Sequence, residues 1–183
     1  MKCPRLIALV AALVVAGAAS AKNPVVLMET SYGTIKIELF EDKAPVTVKN
    51  FLAYVDEKHY DGTIFHRVIP TFMIQGGGVT PGMNLKKAHE SIKSEANNGL
   101  KNQRGTLAMA QSTGPDSATD QFFINVVDNP HLDQQRFTVF ARVIEGMDVV
   151  DKIRQVSTTT VKKIHRDVPV EDIVIKSVRR EKQ

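Results

Sequence analysis

The chain has 183 residues, with 24 basic and 20 acidic side chains, a net charge of +4 and 43% hydrophobic residues. That length fits one domain with a sizeable core. Lys2 and Arg5 belong to an N-terminal leader, and without them 22 basic side chains face 20 acids, a net charge of +2 that argues against a dedicated nucleic-acid binder.

The leader comes first. Residues 6–19 are uncharged and mostly Ala, Val and Leu, and Ala19-Ser20-Ala21 has the small residues of a signal-peptidase site. We read 1–21 as a secretory signal cut between Ala21 and Lys22, leaving 22–183 as the mature domain. The apolar run is short of the ~20 residues that a spanning helix needs. A lipidated cysteine would follow such a run, whereas Cys3 precedes it. Cys3 is the only cysteine and leaves with the signal, so the mature protein is expected to hold together by packing, without a disulfide or thiol chemistry. The expected location is the periplasm, with no membrane association after cleavage.

Residues 25–27 and 35–39 read as strands joined near Ser31-Tyr32-Gly33. Thr34, Lys36 and Glu38 alternate with Ile35, Ile37 and Leu39, giving one wet and one dry face. Asp42-Lys43-Ala44-Pro45 starts a helix, since Pro is tolerated in the first turn. Val48, Phe51, Leu52 and Val55 then follow the i, i+3, i+4, i+7 spacing of an inward stripe.

The run Phe65-His66-Arg67-Val68-Ile69-Pro70-Thr71-Phe72-Met73-Ile74-Gln75-Gly76-Gly77 is the most informative in the chain. Its apolar and β-branched residues favour strands, and Pro70 marks the turn between them. Simple alternation points Phe65, Arg67 and Ile69 one way and His66 and Val68 the other. A core strand would not carry an unpartnered Arg, and a solvent face would not carry so many apolar neighbours. The pattern predicts a cation at the edge of an apolar pocket. His66, pointing away from Arg67, is expected to be structural.

Residues 76–104 have few strand signals and include Pro81-Gly82 and Asn97-Asn98-Gly99, so an irregular excursion is expected. Further strands are expected at 106–110, 122–127, 137–144 and 172–178, and a short helix after Gly146 with Val149, Val150 and Ile153 inward. In the last strand, Ile173, Ile175 and Ser177 should share one face, and Val174, Lys176 and Val178 the other. Many strands and two well-signalled helices suggest an antiparallel sheet closing on itself.

The usual catalytic kits are poorly represented. The histidines at 59, 66, 89, 131 and 165 show no tight ligand spacing, so no metal is expected. There is no G-x-S-x-G elbow, and Gly76-Gly77-Gly78 lacks the Lys-Ser/Thr of a phosphate loop. Those glycines are expected to let the backbone turn out of a strand.

The FHRVIPTFMIQGG run resembles the signature of the cyclophilins, the cyclosporin-binding class of peptidyl-prolyl cis-trans isomerases. Gly105-Thr106-Leu107-Ala108-Met109-Ala110 resembles the family's central strand, and Ser117-Ala118-Thr119-Asp120-Gln121-Phe122-Phe123-Ile124-Asn125 resembles its SQFFI segment, with Asp120 where Ser is usual. Phe137-Thr138-Val139-Phe140 and Glu145-Gly146-Met147-Asp148-Val149-Val150 follow in the family's order. The resemblance spans about 25–178 and implies a mainly β fold, a closed eight-stranded antiparallel barrel capped by two α-helices. It implies an isomerase acting on proline-containing polypeptides, expected to assist the folding of exported proteins. No cofactor is expected, because no covalent bond is made or broken.

The same resemblance implies the site. Arg67 is the candidate catalytic cation, with Gln75 accepting from it and holding the peptide. Phe72, Met73, Phe123 and Leu132 would form the proline slot, with Phe137 at its wall. Gln121 would support Arg67 and the pocket floor. Ala110 and Gln111 would hold the substrate main chain through their backbone groups. Phe122, which alternates away from Phe123, is assigned to the core. Two departures matter: Gln111 stands where many members carry Asn, and His131 where cyclosporin-sensitive members carry Trp. Weak cyclosporin A binding is therefore expected, and a monomer. The competing readings are a binding module that recognises Pro-containing segments without turnover, and a surface- or host-directed secreted factor. Retention of Arg67 and Gln75 favours the enzyme, because pure binding needs only the apolar slot.

Overall fold

A computed structural model describes residues 23–163 and 165–182. The leader expected at 1–21 lies outside the described residues. The strands are β1 (Val25–Thr30), β2 (Gly33–Leu39), β3 (Thr63–Ile69), β4 (Met73–Gly76), β5 (Val79–Thr80), β6 (Asn84–Leu85), β7 (Thr106–Met109), β8 (Phe122–Asn125), β9 (Val139–Glu145), β10 (Thr158–Val161), β11 (His165–Pro169) and β12 (Val174–Arg180). The α-helices are α1 (Pro45–Asp56), α2 (Pro130–Gln134) and α3 (Met147–Ile153). Eight strands close into an antiparallel barrel in the order β1-β12-β3-β4-β8-β7-β9-β2, with β2 returning to β1. The expected barrel is present, with three helices rather than two among the described residues. The additional one, α2, is a five-residue turn of helix that opens on Asn129-Pro130.

Closure leaves the barrel without an open edge and turns one apolar set inward. Val26, Met28, Ile35, Ile37, Leu39, Ile74, Leu107, Met109, Phe122, Ile124 and Phe140 fill the interior. The α1 stripe of Val48, Phe51, Leu52 and Val55 packs on that core, joined by Tyr54 and Thr47. Phe51, Tyr60 and Phe122 meet at ring separations of 5.1–5.7 Å. Phe122 is a core residue, as expected.

Two bulges overturn the simple alternation. In the β3–β4 pairing Phe65 faces Gly76 and Arg67 faces Gln75, so His66 is an extra residue. Phe65 and Val68 therefore both enter the interior, while Arg67 and Ile69 face outward. Arg67 does not share a face with Phe65. In β12 the same device operates: Glu29 faces Ser177 and Thr30 faces Ile175, leaving Lys176 extra. Val178 joins Ile173 and Ile175 in the core, and Ser177 turns out to donate to Glu29. An unpaired residue resets the two-residue period of everything beyond it.

The long excursion is irregular apart from the small β5–β6 hairpin and an isolated bridge between Ile92 and Ala118. It is pinned by specific bonds. The Glu95 carboxylate accepts from the Val46 and Thr47 amides at 3.1 and 2.8 Å, capping an α1 whose own N-cap residue, Ala44, has no side-chain acceptor. Asn98 donates to the Val139 carbonyl. At its start, Gly77 and Gly78 take φ of +83° and +67°. A Cβ on Gly78 would lie 2.5 Å from the Asp120 carboxylate, so the expected glycine-only turn is present. No described helix is long and apolar enough to cross a membrane.

Candidate active site

A second, smaller apolar cluster lies on the outer face of the barrel wall. Met73, Ala108, Phe123, Leu132 and Val139 are its buried members, with Ile69, Phe72, Leu100, Ala110 and Phe137 packed around them. Each strand residue in it alternates with an interior residue, Met73 with Ile74 and Phe123 with Phe122 and Ile124. The sheet thus has apolar side chains on both faces here, and the outer set is closed over by α2. Asn129 anchors that helix by donating to the Phe72 carbonyl at 2.9 Å and to Asn125 Oδ1 at 2.8 Å. Asp133 anchors it from the other side, accepting from the Asn102 amide at 2.9 Å.

These elements leave a depression of about 130 Å³ lined by Arg67, Phe72, Met73, Gln75, Ala110, Gln111, Phe123, Leu132 and Phe137. Nine of the eleven candidate residues line it. The other two border it: His131 lies beside Phe72 with ring centroids 5.4 Å apart, and Gln121 Oε1 accepts from Gln75 at 3.0 Å. Phe123 and Phe137 meet edge to face at 5.6 Å. The floor is apolar, built on the buried Met73, Phe123 and Leu132, and Arg67 lies at its rim.

The polar connections differ from those expected. Gln75 spends its amide on Gln121, and no described bond joins it to Arg67. Nor does a described hydrogen bond join Gln121 to Arg67. The described ion partner of Arg67 is Asp167 of β11, with Nε and Oδ2 3.7 Å apart and both side chains about two-fifths exposed. The Ala110 amide is already committed to the Gln121 carbonyl at 2.9 Å, so a substrate would meet the Ala110 carbonyl rather than its N–H. Gln111 donates from its side chain to the Gln135 carbonyl at 3.1 Å, bracing the far rim against the end of α2. Asp167 carried no periodic or motif signal and lies 100 residues from Arg67. The α2 start was visible in principle, because Asn129 just before Pro130 is a helix-entry pattern.

His66, the bulge residue, is 8% exposed, and burial pushes its imidazole down to about 4. It lines a neighbouring depression together with Arg67, so it does not point wholly away from that residue. Asp120, the departure from the usual Ser, is 3% exposed and pairs with His59 Nε2 at 2.8 Å. This buried pair lies behind the glycine turn and holds the back of the site.

The family model for "Cyclophilin type peptidyl-prolyl cis-trans isomerase/CLD" matches residues 25–180. Peptidyl-prolyl cis-trans isomerase B of Escherichia coli K12 is 58% identical over 160 residues, covering 84% of this chain and 97% of that protein. A peptidyl-prolyl cis-trans isomerase of Acinetobacter baylyi is 54% identical over 161 residues, covering 86% and 85%. Among solved structures, a Cryptosporidium parvum cyclophilin-type isomerase, crystallised in the presence of the dipeptide Ala-Pro, superimposes with a TM-score of 0.77 at 30% identity, covering 87% of this chain and 99% of that one. The chain belongs to the cyclophilin-type peptidyl-prolyl cis-trans isomerases, and prolyl isomerisation is its activity.

Proposed function

We propose that this isomerase acts on Xaa-Pro bonds of exported polypeptides and speeds their folding outside the cytoplasm, with Arg67 as its catalytic cation. The observation that carries the site assignment is a guanidinium at the rim of a depression with an apolar floor, about the size of a small ring. That the Cryptosporidium relative was crystallised in the presence of the dipeptide Ala-Pro supports a proline ring as the occupant. The leader at 1–21 supports export.

The chemistry follows from the amide. Rotation about the X-Pro bond must overcome ~18–20 kcal/mol of lost resonance. In the twisted state the prolyl nitrogen becomes pyramidal and regains a lone pair. A donor aimed at that nitrogen binds the twisted state better than either planar one, and only such differential binding accelerates the step. Arg67 supplies a permanent charge on a planar fork of donors. Phe72, Met73, Phe123 and Leu132 hold the ring, with Phe137 at the wall. The Ala110 carbonyl meets the substrate main chain. Gln75, held by Gln121, presents its side-chain carbonyl to the peptide or to an Arg67 that swings inward on binding.

Two measurements test the proposal. N-terminal sequencing of the envelope fraction should find Lys22 as the first residue. Refolding of an exported client limited by a proline phase, ordinarily tens to hundreds of seconds long, should accelerate with added enzyme. Intact Met1 on cytoplasmic protein would overturn export, and an unchanged slow phase would overturn the folding role.

A further inference from the structure

A second depression, of about 430 Å³, lies on the other side of Arg67 from the proline slot. It is lined by His66, Arg67, Met83, His165, Arg166 and Asp167. Its walls are elements that the slot does not use: β11, which packs beside β3, and the turn between β5 and β6. The two walls are tied together, since Lys162 Nζ donates to the Gly82 carbonyl at 3.1 Å. Arg67 lines both depressions, so a chain with its proline in the slot that runs past Arg67 on this side would carry a flanking residue across this one.

The charges are lopsided. The lining holds two guanidinium groups and one carboxylate, and that carboxylate, Asp167, is engaged 3.7 Å from Arg67 Nε. Arg166 is exposed and makes no ion pair or side-chain hydrogen bond among the described residues. Lys162 and Lys163, on the same hairpin, add to the positive field. Met83, in the β5–β6 turn, and Asp167 have φ of +62° and +60°.

We propose that this depression is a specificity subsite for an acidic side chain, an Asp or Glu of the client within two residues of the isomerised proline, and that Arg166 reads its carboxylate. The fork of Arg166 suits a bidentate carboxylate. Arg67 serves the prolyl nitrogen in the slot, so the catalytic cation and the reading cation stay separate. This rests on the isomerase reading of the slot.

The test uses proline peptides bearing Glu, Gln or Lys at each of the two positions on either side of the proline. Turnover is followed by NMR exchange and binding by amide shifts. At one position Glu should raise kcat/KM at least threefold over Gln, through KM, and Lys should fall below Gln. The preference should shrink with added salt. In Arg166→Gln the Glu-to-Gln ratio should collapse toward one, while in Lys176→Gln, which removes an exposed charge from β12, it should persist. Equal turnover of Glu, Gln and Lys peptides at every position overturns the subsite. So does a Glu preference that survives Arg166→Gln, or one lost equally in Lys176→Gln. Should no peptide be isomerised, the reading of the slot fails; the Glu-to-Gln binding ratio, and its loss in Arg166→Gln, then decides the subsite by itself.

Discussion

Removing Arg67 separates catalysis from stability. In Arg67→Ala the folded protein loses one ion pair, whose partners stand 3.7 Å apart and are 43% and 39% exposed. Exposed pairs of this kind contribute about 0–1 kcal/mol, less in salt. For a domain of this size, 1 kcal/mol shifts Tm by roughly 2–4 °C, so the melting curve should barely move. The transition state loses more. A preorganised donor in a water-excluded site contributes about 2.7–4 kcal/mol. Arg67 sits at a half-exposed rim, which lowers that figure toward about 1.4 kcal/mol, or tenfold. The expected loss is at least tenfold in kcat/KM, with kcat falling alongside it because the interaction forms only as the bond twists. Arg67→Lys should lie between, since it keeps the charge and loses the fork. NMR exchange or a protease-coupled assay on Xaa-Pro peptides reads the rate, and circular dichroism confirms the fold. A folded Arg67→Ala protein with wild-type turnover would remove Arg67 from the mechanism.

Three other perturbations probe different parts of the molecule. His131→Trp should raise cyclosporin A affinity at least tenfold with little change in kcat/KM, because an indole covers more of the rim beside Phe72 than the exposed imidazole does, while the ring slot is built by other residues; calorimetry that shows no gain would mean this rim carries little of the binding. His66 is held neutral by burial at a pKa of about 4, against 6.5 unfolded, with Arg67 and His165 also lowering it and the Ile64 carbonyl and Asp120 opposing them. Its stability contribution is complete above pH 6.5 and is lost by up to about 3 kcal/mol as pH falls to 4, since the unfolded chain then binds the extra proton; urea titrations across that range should show the slope, and His66→Gln should flatten it. His59→Ala leaves the buried Asp120 carboxylate without its 2.8 Å partner and should cost about 3–5 kcal/mol. Adding Asp120→Ser should recover most of that loss, and equal stability of the single and double variants would show that the carboxylate is not stranded.

Local chemistry determined much of this protein before any fold was drawn. The slot residues Phe72, Met73 and Phe123 came from the family resemblance, whereas the α1 stripe, the glycine turn after β4 and a cation at the edge of an apolar pocket are readable from residue type and spacing. The latter depend on contacts a few residues apart, where steric preference and hydrophobic period act directly. The tertiary structure decided what the period could not. A bulge exists only relative to a partner strand, so the extra residues at His66 and Lys176 became visible only once β4 and β1 were alongside. Those two insertions put Phe65 and Val178 in the core and left Arg67 outside with Gln75. The partner of Arg67 was likewise hidden, because an ion pair across 100 residues leaves no mark on either local sequence. Asp167 reaches it because the β10–β11 hairpin, outside the barrel, packs against β3 just before the chain enters β12, itself paired to β3, and that packing makes one guanidinium the wall between two depressions.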